Sequence, residues 1–308
     1  MRLHPLAQAY LEKAAAEDAG DFRTQSVAVQ RADHSRSILV PKDRQAPVHS
    51  VENRSFPAAG GEITLRIYRS SSTPELPLYV FVHGGGWVLG DLEPYDYVCR
   101  GLTSLTDSVM VSVGYRRAPE HRHPGPLEDV TSAILWCFDN LEYLGADGRR
   151  TVIGGDSAGG HLATTYCLRA VSEGMPVFSR QVLHYPVTAH YSAGFASYET
   201  FGRNCGLDKE RMIWFWDQFL PADAELNHPL VSPLYAENLR ELPRTLIQTA
   251  GCDPLRDEGV AYAEKLKNAG VSTEWSDYEG MIHGFINIPE LGFGSAAMQE
   301  VASFLSDL

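Results

Sequence analysis

The sequence predicts an α/β fold, a mostly parallel central sheet with helices on both faces and a helical cap. Three observations lead there. Short apolar runs recur along most of the chain with helical patterns between several of them, and a glycine-flanked serine stands directly between one such run and a helix. A single stretch, residues 188–233, breaks the alternation without a good strand pattern. Strands that alternate with helices favour a parallel sheet covered on both faces, whose strands read as continuous apolar runs.

The elements follow in order. Leu3, Leu6, Tyr10 and Leu11 fall at helical spacing, so the first residues are expected to form an amphipathic helix, with a second short helix later in the region. Residues 45–61 hold two prolines and a Gly-Gly pair and read as a connector. Ile63, Leu65 and Ile67 then alternate with polar residues, and Leu78-Tyr79-Val80-Phe81-Val82 is the run of a buried central strand. Further strands are predicted at 109–113, 151–153, 182–185 and 246–249, with a more polar one at 273–278. Helix patterns appear at Leu127, Val130, Ile134 and Cys137, at Leu162, Tyr166 and Ala170, and at Met298, Val301 and Leu305. Inside the interrupting stretch, Met212, Phe215, Trp216, Phe219 and Leu220 repeat as one apolar helix face. Residues 1–50 and 188–233 are therefore assigned to the cap, and 51–187 and 234–308 to the core. Such a cap would cover the carboxyl ends of the strands, where open α/β sheets hold ligands.

Composition narrows the partners. With 308 residues, 44% of them hydrophobic and 21% charged, the chain suits one large soluble domain with an elaboration. Twenty-six Lys and Arg against 39 Asp and Glu leave a charge of −13, which repels polyanions and argues against nucleic acid. Cys99, Cys137, Cys167, Cys205 and Cys252 are scattered without a CxxC pair or Cys/His ligand spacing, so neither a disulfide framework nor a structural metal site is expected. Met1-Arg2-Leu3-His4-Pro5 leads into an Ala/Glu/Lys-rich stretch, not an apolar run. No membrane span or signal peptide is expected, and the location read from these features is cytoplasmic. An exposed edge strand is where a homodimer would pair.

The strongest chemical signal is Gly155-Asp156-Ser157-Ala158-Gly159, between a predicted strand and a predicted helix. A sharp strand-to-helix turn projects the serine hydroxyl above the sheet, and glycines on either side avoid collisions with neighbouring chain. Serine is a weak nucleophile without a base, and the base needs an orienting carboxylate. In this fold the order is serine, acid, histidine. Asp253 stands nearest the end of a downstream strand, whereas Asp257 falls where a helix N-cap is expected, so Asp253 is the candidate acid. His283 is the only histidine after that loop and is the candidate base; His161, His184, His121 and His123 occupy helix, strand or Pro-rich loop. Donors for a tetrahedral oxyanion come from His83-Gly84-Gly85-Gly86-Trp87 after a predicted strand, with Gly84, Gly85, Gly86 and Ala158 all candidates and His83 holding the loop. A phosphate cradle is disfavoured because neither GxxxxGK[ST] nor a helix-opening GxGxxG is present.

Taken with Tyr115-Arg116-Arg117-Ala118-Pro119-Glu120-His121, Asp253-Pro254-Leu255-Arg256-Asp257-Glu258-Gly259 and His283-Gly284-Phe285, these motifs resemble the hormone-sensitive-lipase-like family of α/β-hydrolases, the bacterial family IV esterases. The resemblance spans most of the chain. It implies an α/β-hydrolase core, a cap built from the N-terminal region and the later insertion, and hydrolysis of carboxylic esters with short or medium acyl chains. Arg117 departs from the family's usual apolar residue, and His121-Arg122-His123-Pro124-Gly125-Pro126 from its usual His-Pro-Phe-Pro-Ala-Ala. The Ala118-Pro119 and His123-Pro124 bonds are candidates for cis geometry.

The expected reaction is a two-step acyl transfer on a small-molecule ester, with no metal or organic cofactor. Trp87, Asp156, Trp214 and Trp216 are the candidate pocket residues, with Phe215 and Phe219 on the same aromatic face; packing of the cap on itself explains the same spacing. Two other readings stand beside the esterase. One is a deacetylase or amidohydrolase acting on a particular natural-product ester or N-acyl substrate, and the other a non-catalytic small-molecule receptor on the same fold.

Overall fold

A computed structural model describes residues 2–16 and 20–308. Met1 and residues 17–19, within the stretch assigned to the cap, lie outside the described residues. Eight strands, β1 (Ser50–Ala58), β2 (Gly61–Arg69), β3 (Leu76–Val82), β4 (Val109–Gly114), β5 (Ala146–Asp156), β6 (Arg180–His184), β7 (Arg244–Cys252) and β8 (Thr273–Ile282), form one sheet in the order β1-β2-β4-β3-β5-β6-β7-β8. The β1/β2 and β2/β4 pairs are antiparallel, and every pair from β4 across to β8 is parallel. The helices are α1 (Pro5–Ala16), α2 (Val27–Ile38), α3 (Asp96–Thr106), α4 (Gly125–Asp139), α5 (Leu141–Leu144), α6 (Ala158–Glu173), α7 (Ala196–Thr200), α8 (Lys209–Phe219), α9 (Arg256–Asn268) and α10 (Phe293–Phe304).

Side-chain alternation along β3 explains its unbroken apolar run. Leu78, Val80 and Val82 join a core with Leu127 and Ile134 of α4 and Leu162 of α6, while Tyr79 and Phe81 join a second core with Leu102 of α3 and Met298 of α10. Each face of the sheet therefore has its own helical layer.

The connector expected at residues 45–61 is corrected by β1. That strand pairs with β2 as a hairpin at the sheet edge and is exposed along almost its whole length. With no face to bury it shows no alternation, and an edge strand tolerates Pro57. The Ala118-Pro119 and His123-Pro124 bonds are both cis.

Between β6 and β7 the chain leaves the sheet and carries α7 and α8. The root of this excursion is held by Glu258 of α9, whose Oε1 accepts from the Thr188 and Ala189 N–H groups at 2.7 and 3.2 Å. At the other end of the chain, the His4 N–H donates to the Gly280 carbonyl at 3.0 Å, which laces the first residues onto the end of β8.

Candidate active site

Strand β5 and helix α6 meet at Ser157, whose backbone is held at φ 54° and ψ −121°. This is a strained conformation for a residue with a side chain, and the surroundings enforce it. A Cβ on Gly159 would stand 2.0 Å from the Val82 carbonyl oxygen, and one on Gly155 would stand 2.5 Å from the Gly159 carbonyl carbon. Glycine at both positions lets the turn press against β3.

His283 follows β8. Its Nε2 lies 2.9 Å from Ser157 Oγ and its Nδ1 lies 2.6 Å from Asp253 Oδ2. Asp253, wholly buried after β7, uses its other oxygen to accept from the Leu255 N–H at 2.9 Å. Asp257 does not cap α9 as expected; it lies in the first turn and accepts from the Ser197 N–H at 2.9 Å, fastening α7. Tyr185, with its ring centre 4.7 Å from that of His283, supports the imidazole and had no signal in the sequence.

His161, His184, His123 and His83 are engaged elsewhere. His161 Nδ1 accepts from Trp87 Nε1 at 3.2 Å while Nε2 faces the Val231 carbonyl at 3.0 Å, and burial holds its pKa down to about 3. His184 pairs with Gln248 at 2.6 Å. His123 packs edge-on to Phe219. His83 is stacked on Tyr115 with ring centres 4.3 Å apart, and the Tyr115 hydroxyl donates to its carbonyl, so it anchors the glycine loop.

Of the four proposed oxyanion donors, Gly84 is corrected. Its N–H donates to Asp156 Oδ1 at 2.7 Å and is not free for a ligand. The N–H groups of Gly85, Gly86 and Ala158 donate to no acceptor among the described residues. Asp156 lines the cavity and also braces the loop, since its Oδ2 accepts from the Tyr95 hydroxyl at 3.1 Å. Burial pushes the Asp156 carboxyl up to about 6, against the opposing pulls of the Tyr95 hydroxyl, His283 and the Gly84 N–H.

Ser157 and His283 open onto a cavity of about 890 Å³, lined from α1, α2 and α8 by residues such as Tyr10, Leu11, Ile38, Met212 and Phe215. Three of the pocket residues expected from sequence do not line it. Trp87 is fully buried and stacked on Phe219, with centres 4.2 Å apart and planes 7° apart. Trp216 is 1% exposed behind it, and Trp214 meets Phe22 edge-on at 6.0 Å. The aromatic spacing on α8 mainly packs the insertion, and Phe215 is the ring that reaches the cavity.

The unusual basic residues have local roles. Arg117 donates to the Gly90 carbonyl and pairs with Asp91 at 3.4 Å, which absorbs its charge beside the glycine loop. Arg122 donates to the Asp217 and Leu220 carbonyls, both at 2.6 Å, and ties down the end of α8. Among the described residues no three His, Cys, Asp or Glu side chains converge as a metal site requires, and no helix is long and apolar enough to cross a membrane.

A serine on a strand-to-helix turn, in reach of a histidine that is itself held by a buried carboxylate, over a parallel sheet of this order, defines an α/β-hydrolase. The model of the family described by its alpha/beta hydrolase fold matches residues 79–287, and the chain belongs to that family in its hormone-sensitive-lipase-like branch. It is similar to the carboxylic ester hydrolase LipN of Mycobacterium tuberculosis, 42% identical over 253 residues that make up 80% of this chain and 67% of that one. An arylesterase of Saccharolobus solfataricus is 33% identical over 270 residues, 84% of each chain. Among solved structures, a hyperthermophilic esterase from the archaeon Pyrobaculum calidifontis superposes with a TM-score of 0.95 at 37% identity, covering 100% of this chain and 99% of that one.

Proposed function

We propose that the chain is a serine carboxylesterase that cleaves small-molecule esters with short- to medium-chain acyl groups. The observation that carries this reading is the hydrogen-bonded line from Ser157 Oγ through His283 to buried Asp253, beside the unengaged N–H groups of Gly85, Gly86 and Ala158. Relatives named as ester hydrolases support the same class.

In the first step Ser157 Oγ attacks the ester carbonyl as His283 Nε2 takes its proton, and Asp253 holds the imidazolium through Nδ1–H. The oxygen that becomes negative is stabilised by the Gly85, Gly86 and Ala158 N–H groups. Collapse expels the alcohol, protonated by His283, and leaves an acyl-serine. Water, deprotonated by the same histidine, then releases the acid and restores Ser157. Nothing in these steps calls for a metal or organic cofactor.

The division of labour proposed along the chain is a cap from residues 1–50 and 188–233 over a core from 51–187 and 234–308. Pairing of two copies through the β8 edge, where Trp275 is 37% exposed, and residence in the cytoplasm, supported by five buried free thiols, complete the reading. Light scattering after size exclusion and cell fractionation check these two points. The activity itself is tested by hydrolysis of p-nitrophenyl acetate and butyrate and by fluorophosphonate labelling, both expected in the unaltered protein and both lost in Ser157→Ala. Cleavage of N-acetyl substrates without cleavage of esters would move the reading to an amidohydrolase.

A further inference from the structure

Arg211 of α8 lines the cavity that holds Ser157. Its guanidinium carbon lies 4.4 Å from the centre of the Phe22 ring and 5.2 and 5.3 Å from those of Trp214 and Phe215. Every other half-buried arginine among the described residues donates to a carboxylate or a backbone carbonyl, as Arg116 does to Asp129 and Arg256 to Asp277. Arg211 has no hydrogen bond and no ion pair among the described residues. Half-buried and lining the cavity, it presents a cation to that space with no acceptor among the described residues.

Such an arrangement is costly unless an acceptor arrives. Ring faces offset part of the desolvation of a guanidinium, but they do not replace acceptors in its plane. Burial lowers the Arg211 pKa only to about 10, so the group keeps its charge at neutral pH. From α2, His34 lines the same cavity; its buried Nε2 has no partner among the described residues, and burial keeps the ring neutral with a pKa of about 4. Asp208 also lines the cavity but forms no ion pair with Arg211, and burial raises its carboxyl pKa. Phe215 connects this cation to the reacting atoms, because the same ring packs against Gly86 of the glycine loop.

We propose that Arg211, with the neutral His34 as a second donor, forms a subsite for a carboxylate carried by the substrate. The preferred substrates are then esters bearing a carboxylate one short aliphatic spacer away from the scissile bond. The proposal rests on the esterase reading above and adds to it the substrate class.

The test compares two pairs of esters. Monomethyl adipate against methyl hexanoate puts the carboxylate on the acyl side, and the acetyl ester of hydroxyhexanoic acid against hexyl acetate puts it on the alcohol side. In the unaltered enzyme kcat/KM should favour the anionic member by about tenfold to a hundredfold in one of the pairs, and the preference should shrink with added salt. Arg211→Gln should bring that ratio towards one, while Arg211→Lys keeps part of it. Because the ratio is internal to each variant, a loss of folded protein leaves it unaltered. No preference in either pair, or the same ratio in Arg211→Gln as in the unaltered enzyme, overturns the subsite; a purely structural Arg211 joining Phe22 to Trp214 would give the second result. If none of the four esters is cleaved, the esterase reading falls and takes the subsite with it, an outcome distinct from cleavage without anionic preference.

Discussion

The ring of Phe215 packs so closely on Gly86 that a Cβ added to the glycine would stand 2.3 Å from its ring carbons. Helix α8 and the glycine loop are thus in direct contact at the position of a proposed oxyanion donor. Gly86 also has φ +58°, a region that side chains rarely adopt. Gly86→Ala should therefore lower kcat on p-nitrophenyl butyrate by on the order of 10²–10³, the cost of one misplaced donor. Combining it with Phe215→Ala should recover part of that loss, and steady-state kinetics on both variants check the coupling.

Removing the proposed nucleophile or its orienting acid should have different signatures. Ser157→Ala is expected to lose about 10⁶-fold in kcat and all fluorophosphonate labelling. Asp253→Asn retains the shape and the acceptor for the Leu255 N–H but presents an amide to His283 Nδ1, so kcat should fall by on the order of 10⁴. Labelling by fluorophosphonate should become slow in Asp253→Asn without disappearing.

Asp156 links stability to pH. Its carboxyl rises from 3.8 to about 6 on burial, so it binds a proton more tightly in the folded than in the unfolded chain. That contribution to stability is fully present below about pH 4 and is lost as the pH rises through about 6. Asp156→Asn stays neutral and can still accept from the Gly84 N–H. Its stability relative to the unaltered protein should climb by roughly 2–3 kcal/mol between about pH 4 and about pH 8. Urea denaturation across this interval checks it, and a flat difference would mean that burial does not raise this carboxyl.

Trp216 and Met212 sit on one helix and should behave differently. Trp216, buried behind the cavity, should cost about 3–5 kcal/mol as alanine with the acyl-length preference keeping its shape. Met212 lines the cavity, so Met212→Ala should shift preference towards longer acyl chains. An acyl-length series from acetate to octanoate, together with thermal unfolding, separates the two.

What the sequence disclosed depends on how local each signal is. The buried strands were legible because β3 faces a helical layer on both sides and so had to be apolar throughout. Strand β1, exposed on both faces and carrying Pro57, had no such constraint and read as a connector. Ser157, Asp253 and His283 were legible from their order at strand ends, and His283 lies within hydrogen-bond distance of both of the others. The engagement of Gly84 was not, because its acceptor Asp156 is 72 residues away. Helical periodicity likewise marks Phe215 and Trp216 as one apolar face without telling which ring meets Trp87 and which meets the cavity.

The bond between His4 and Gly280 ties the segment ahead of α1 to β8, three residues before His283. Gly280 has φ +74°, and a Cβ there would stand 2.8 Å from the His4 nitrogen, so the two segments leave no slack. A protease that nicks the chain just ahead of Pro5, or a purification tag pulling on that segment, would therefore act on the position of the imidazole from outside the cavity. The residues ahead of α1 are thereby coupled, through β8, to the segment that carries the base.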